Sequence, residues 1–253
     1  MFGICNLSII PLRLEPNDRS EIVSQVLFGE HFEIIETVKQ WTKIKLHFDD
    51  YEGWIDGKQY QLISEENYIR LSKEAIILNS DLVEYITASN NALIPITIGA
   101  SLSFLNHSDI NCETYEFEGL KVSGEKPKSN LVNTSYLYLN SPYLWGGKTP
   151  FGIDCSGFTQ MVYKLNGYKL LRDASQQSSQ GEVLSFIEES EPGDLAFFDN
   201  DEGKIIHVGI ILENNYIIHA SGKVRIDRLD HLGIYNAELN RHTHRLRVIK
   251  KII

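Results

Sequence analysis

The chain has 253 residues, 42% of them hydrophobic and 23% charged, and a formal net charge of −10. That length is enough for two or three small domains, and the composition is that of an ordinary globular chain with sufficient apolar material for a full core. The acidic balance disfavours nucleic acid or an anionic membrane as a partner. Met1–Pro11 carries no basic leader, only a short apolar stretch and no small-residue cleavage site. No run of about 18 apolar residues occurs along the chain. Three cysteines make no disulfide framework, and the expected location is cytoplasmic.

The first elements are short alternating strands. Residues 21–56 contain Glu21 to Phe28 before Gly29-Glu30, then Trp41-Thr-Lys-Ile44, then Asp50-Tyr51-Glu52-Gly53-Trp54. Alternation broken by Gly and Asp turns predicts a small barrel. The Gly-Glu, Trp-x-x-Ile and Tyr-x-Gly-Trp pieces resemble a bacterial SH3 domain, placed at residues 1–62. A short helix near Glu65–Ser72 leads into a weaker echo at Leu93–Phe104 and Thr114–Gly119. This is read as a second, degenerate SH3-like barrel over residues 63–125, followed by a polar linker at Gly124–Asn130.

Past the linker, Cys155 opens a helix. Asp154 is a plausible N-cap, and Phe158, Met161, Val162 and Leu165 fall at i, i+3, i+4 and i+7 before an αL cap at Gly167. Unpaired N–H groups and the helix dipole at that start predict a lowered thiol pKa and a resting thiolate. Cys5 and Cys112 have no activating neighbours and read as core. Ile205–Leu212 and Tyr216–Ser221 form a hairpin with Glu213-Asn214-Asn215 as its loop. Leu212 then pairs with Tyr216 and Gly209 with His219, so His207 and His219 share a face at about 7 Å between Cα atoms. One imidazole can serve a thiol while the other orients it.

Two further motifs carry less. Gly147-Lys148-Thr149 resembles the end of a phosphate-binding loop, but Pro142 occupies the first glycine position and Pro150 blocks the following helix. His242-Thr243-His244 lies on a strand at Thr243–Ile249 and reads as a solvated face. With no His-Glu-x-x-His and no Cys-x-x-Cys, neither a metal nor another cofactor is expected.

From about Leu131 to Ile253 the chain resembles the NlpC/P60 family of papain-like cysteine peptidases. The resemblance rests on Tyr143-x-Trp145-Gly-Gly, Asp154-Cys155-Ser156-Gly157, Arg172-Asp173-Ala174-x-x-Gln177, Pro192-Gly-Asp194-Leu195, His207-Val-Gly-Ile and Ile218-His219-Ala-Ser. It implies a multi-domain chain, all-β SH3-like barrels followed by an α+β papain-like peptidase domain at residues 131–253. In that domain the Cys155 helix would pack on an antiparallel sheet of Asp194–Asp199, Ile205–Leu212 and Tyr216–Ser221.

The resemblance further implies that Cys155 attacks, His207 is its base and His219 orients that base, with Tyr143 lining the cleft near the oxyanion. Asp154, Ser156, Trp145 and Asp173 are the implied substrate-binding residues, Asp173 meeting a terminal ammonium. Ala174 stands where some relatives carry Ser. Tyr51 and Glu21 are candidates for a closing wall from the first barrel. The expected activity is cleavage of the γ-D-Glu–diamino acid bond in peptidoglycan-derived L-Ala-γ-D-Glu-diamino acid peptides with a free L-Ala, as in cell-wall recycling. A non-catalytic wall-fragment binding module and an acyltransferase using the same thioester chemistry are the alternatives; intact Cys155, His207 and His219 argue against the first.

Overall fold

Apolar residues at period two make most of the regular elements of this chain strands, and the computed structural model describes residues 1–107 and 114–253. Cys112, expected in a core, lies outside the described residues. The chain divides into two compact units, Met1–Gly124 with Trp145–Pro150, and Glu125–Leu144 with Phe151–Ile253.

In the first unit, β1 (Phe2–Ile4), β2 (Ile9–Arg13), β3 (Ile22–Leu27), β4 (His31–Val38), β5 (Trp41–Leu46), β6 (Glu52–Asp56) and β7 (Gln61–Ile63) make one sheet, ordered β3-β2-β6-β5-β4-β1-β7. Alternation fills its interior with Ile10, Leu12, Val26, Phe32, Ile44 and Ile55, all fully buried. The helix α1 (Glu65–Lys73) starts at Ser64, whose hydroxyl accepts from Asn67 N. β8 (Ile77–Asn79), β9 (Val83–Ala88), β10 (Leu93–Thr97), β11 (Tyr115–Glu116) and β12 (Lys121–Ser123) follow as two small sheets, β10-β9-β11 and β12-β8. Ile4 and Phe28 share a core with Ile86, Ile96 and Phe104, so both stretches of strands form one body. Gly29 sits at φ +76 with Ser101 O only 1.9 Å from where a Cβ would be, which demands glycine there.

The second unit opens with α2 (Ser129–Tyr136), a helix unmarked in the sequence because its first turn, Ser-Asn-Leu, lacks apolar spacing and Lys128 offers no capping side chain. After the short strands β13 (Lys148–Thr149, in the first unit) and β14 (Gly152–Ile153, in the second) comes α3 (Cys155–Leu165). It is buried on every side rather than on one stripe. Gly167 N bonds Lys164 O and Tyr168 N bonds Tyr163 O, the double bond pair of a Schellman end.

Then come α4 (Ala174–Gln177), β15 (Glu182–Leu184), β16 (Leu195–Asp199), β17 (Ile205–Leu212), β18 (Tyr216–Ser221), β19 (Lys223–Asp230), β20 (Gly233–Asn236) and β21 (Arg241–Lys251). The antiparallel order is β15-β21-β16-β17-β18-β19-β20. β21 pairs with both β16 and β20, which closes six strands into a barrel around Phe198, Ile211, Ile217, Leu229, Ile234 and Ile249. Helix α3 packs on β17 and β18. The three strands expected beside it are present, within a larger, closed sheet. Among the described residues no helix is long and apolar enough to cross a membrane.

Candidate active site

The hairpin that joins β17 to β18 sets the site. Asn214 and Asn215 both take left-handed backbone, φ 57 and 59, closing a three-residue loop. Leu212 therefore faces Tyr216 and Gly209 faces His219, the register expected from the sequence. β19 continues the pattern, with Arg225 opposite His219 and Asp227 opposite Ile217. Alternate residues share a face, so His207, His219 and Asp227 step diagonally across three adjacent strands.

All three are buried. His207 Nε2 lies 2.8 Å from His219 Nδ1, and His219 Nε2 lies 3.1 Å from Asp227 Oδ2. Arg225 grips the same carboxylate, Nε donating to Oδ2 at 2.7 Å and Nη2 to Oδ1 at 3.1 Å. From β21, His244 stacks on His207 with ring centroids 4.2 Å apart and planes 25° apart. This corrects the reading of His242-Thr243-His244 as a solvated face. His242 is exposed and paired with Asp230, whereas His244 is half-buried against the relay. The ligand atoms of His207, His219 and His244 lie within 4.8 Å of one another and could hold a metal ion. Two of those imidazoles already hydrogen-bond each other.

Cys155 is the first residue of α3, capped by Asp154, whose Oδ1 accepts from Gly157 N at 2.6 Å. Arg172, 1% exposed, forks onto Asp154, Nη1 to Oδ1 at 3.0 Å and Nη2 to Oδ2 at 2.6 Å, and also donates to Ser156 Oγ at 3.0 Å. The Asp154 carboxylate and the Ser156 hydroxyl are thus bound up in bracing the helix start, the role that the Arg172 motif position fills. Gln177 completes the brace, donating to Ser156 O and Leu171 O and accepting from Thr159 Oγ1.

Burial pushes the Cys155 thiol up to about 12, and the Asp154 charge adds to it. The N–H groups of Val208 and Ser156 and the Arg172 guanidinium pull the other way without prevailing. Burial likewise holds His207 well below the ordinary 6.5, helped by the neighbouring His219 and His244. Both shifts favour a thiol and a neutral imidazole, against the expected thiolate, because desolvation outweighs the helix start. Alkylation of Cys155 by iodoacetamide should accordingly keep accelerating as pH rises through about 9, with Cys155→Ala as blank. A rate level between about pH 6 and 8 would restore the ion pair.

The same shifts fix the pH range of stability. His207, His219 and His244 all have lowered values, burial first among the causes, His244 reaching about 4. The unfolded chain thus binds more protons below 6.5, and stability falls as pH drops from there. Cys155 and Tyr143 are raised from 9.0 and 10.0 to about 12, so they destabilise the fold as pH climbs above 9. Urea midpoints should be flat between about pH 6.5 and 9 and drop on both sides, the acid limb shallower in His244→Gln. Equal midpoints at about pH 4.5 and 7 would contradict this.

Tyr143 lies in the same unit as Cys155. Burial, then the Asp154 carboxylate and any thiolate at Cys155, push its phenol up to about 12, so it stays protonated. Asp173 is the half-buried N-cap of α4, its N–H donating to Gln176 Oε1, and Ala174 is buried beside it. Trp145, Glu21 and Tyr51 belong to the other unit. There the Trp145 indole donates to Glu21 Oε1 at 2.5 Å, and Tyr51 packs on the barrel core. Lys148, 1% exposed, is no phosphate ligand but a buried partner of Glu30 at 3.3 Å. Asp227, Arg225 and His244 escape a reading by motif. The available signal was Lys223–Asp230 itself, an alternating strand that places an acid on an inward face.

Residues 140–243 match the NlpC/P60 family, and residues 12–59 match the bacterial dipeptidyl-peptidase Sh3 domain. Over 217 residues the chain is 31% identical to the gamma-D-glutamyl-L-lysine dipeptidyl-peptidase of Bacillus subtilis, covering 79% of this chain and 72% of that protein. The chain belongs to the NlpC/P60 family. It is an enzyme of that family's cysteine peptidase type. The Bacillus cereus protein of the same name is 27% identical over 226 residues, covering 79% of this NlpC/P60 chain and 68% of its relative. A crystal structure of an NlpC/P60 family protein from Bacillus cereus superposes with a TM-score of 0.83 at 18% identity, over 100% of this chain and 99% of that one, and speaks for the fold.

Proposed function

We propose that this peptidase hydrolyses the γ-D-Glu–diamino acid bond of peptidoglycan stem peptides with a free N-terminal L-Ala, from a papain-like α+β unit. One observation carries the reading: Cys155 begins a buried helix with Val208 N–H acting on its sulfur, and the residue before Val208 starts the relay His207–His219–Asp227. Neutral His207 takes the thiol proton as Sγ attacks the γ-carbonyl of D-Glu. The carbonyl oxygen gains negative charge, and a Tyr143 hydroxyl that stays protonated is a donor suited to it. The thioester forms as the diamino acid leaves with the proton. Water then attacks with His207 as base, freeing L-Ala-γ-D-Glu.

Substrate choice follows from the relatives and from Asp173. Two relatives are named for gamma-D-glutamyl-L-lysine, which favours L-lysine as the diamino acid. Asp173 would pair with the L-Ala ammonium, since a half-buried ammonium needs an opposite charge. Intact wall, whose L-Ala is amide-linked, lacks that ammonium, so released peptides recycled in the cytoplasm are the fitting substrates. Incubation with L-Ala-γ-D-Glu-L-Lys should give L-Ala-γ-D-Glu and lysine by mass. Uncleaved peptide would overturn the assignment, and a product joined to an added amine instead of water would turn it to acyl transfer.

A further inference from the structure

Beyond the histidine pair, the geometry points to Asp227 as the positioning residue that decides which nitrogen of His207 is the base. This inference rests on the function proposed above. An ionised carboxylate only accepts hydrogen bonds. Arg225 holds Asp227 in that state with two charge-assisted bonds, at 2.7 and 3.1 Å. Burial works against the charge, but bonds from His219 and Arg225 outweigh it and keep the carboxyl below its ordinary range.

The hydrogen between Asp227 and His219, 3.1 Å apart, must then sit on His219 Nε2. Neutral His219 consequently has no hydrogen on Nδ1 and can only accept there. Its 2.8 Å partner, His207 Nε2, must be the donor. Neutral His207 is left with a bare Nδ1, the one nitrogen able to take the thiol proton. One carboxylate at the far end of three strands thereby writes the tautomer of two imidazoles.

Asparagine at position 227 reverses the order with almost no change of shape. Its amide can donate to His219 Nε2, which moves that hydrogen to Nδ1, makes His207 Nε2 the acceptor and places a hydrogen on His207 Nδ1. The base is then blocked, as when a catalytic histidine is held in the wrong tautomer in serine peptidases.

The test uses the full chain. Two-bond ¹⁵N–¹H correlations, assigned by substituting the other histidines, should show His207 and His219 of the wild type protonated at Nε2. In Asp227→Asn they should shift towards Nδ1, while kcat on L-Ala-γ-D-Glu-L-Lys falls by about a hundredfold or more at nearly constant KM. Asp227→Glu should recover much of that loss. A wild-type His207 protonated at Nδ1 would overturn the inference without any variant, as would an Asp227→Asn enzyme of wild-type kcat. Should the wild type cleave no peptide of this class while showing the expected tautomers, the functional reading fails and the hydrogen-bond order stands.

Discussion

Cys155→Ala should lower turnover of L-Ala-γ-D-Glu-L-Lys by at least about ten-thousandfold. The neighbouring Ser156 hydroxyl is tied up by Arg172 and Asp154 and has no base beside it to replace the thiol, and Cys5 is fully buried in the core of the other unit. The fold should survive, because alanine is a good helix former and the loss is a single sulfur. His207→Ala should match it in kcat but at greater cost in stability, since it removes the partner of buried His219 Nδ1 and the ring that His244 covers. His219→Ala should be less severe, because orienting a base is worth less than the base. Steady-state kinetics with circular dichroism of each variant separates these outcomes, and a Cys155→Ala enzyme of wild-type rate would end the proposed mechanism.

The second large effect concerns the substrate's amine. Acetylated or lactyl-linked peptides should be cut about a hundred to a thousand times more slowly than the free-amine peptide, or about 3–4 kcal/mol in kcat/KM. On the proposed pairing, capping deletes the charge that Asp173 would face and adds bulk beside it. Asp173→Asn should raise KM for the free-amine peptide and narrow its lead over the capped one. Purified enzyme that digests intact sacculi as readily as free peptides would remove both the ammonium contact and the recycling role.

The legible and illegible parts of this chain differ for physical reasons. Cys155 and the two histidines could be found because each depends on local grammar: an Asp cap before a periodic helix, and a three-residue loop that sets a strand register. His244 depends on the pairing of β21 with β16 and β20, which no short window contains, whereas Asp227 lies eight residues from His219 across the β18–β19 hairpin and needed only that second register. The upward shift of the thiol is hidden from the sequence for a related cause. The helix start is visible in sequence, while the burial of α3 on every side, which outweighs it, is a property of packing. In the first barrel, by contrast, alternation and turn residues sufficed to mark the strands.

Six residues, Trp145–Pro150, sit within the stretch matched to the peptidase family yet belong by their contacts to the N-terminal unit. Gly146, at φ +76, runs so close to the barrel that a Cβ would lie 2.3 Å from Ile22 O, and Lys148 is neutralised by Glu30. Losing one partner of a buried ion pair costs about 3–5 kcal/mol. A change at Glu30 alone would therefore leave the Lys148 ammonium buried without its counter-charge, and any side chain at position 146 would unseat the turn. Glu30 and Lys148 should accordingly be lost or kept as a pair as such sequences diverge.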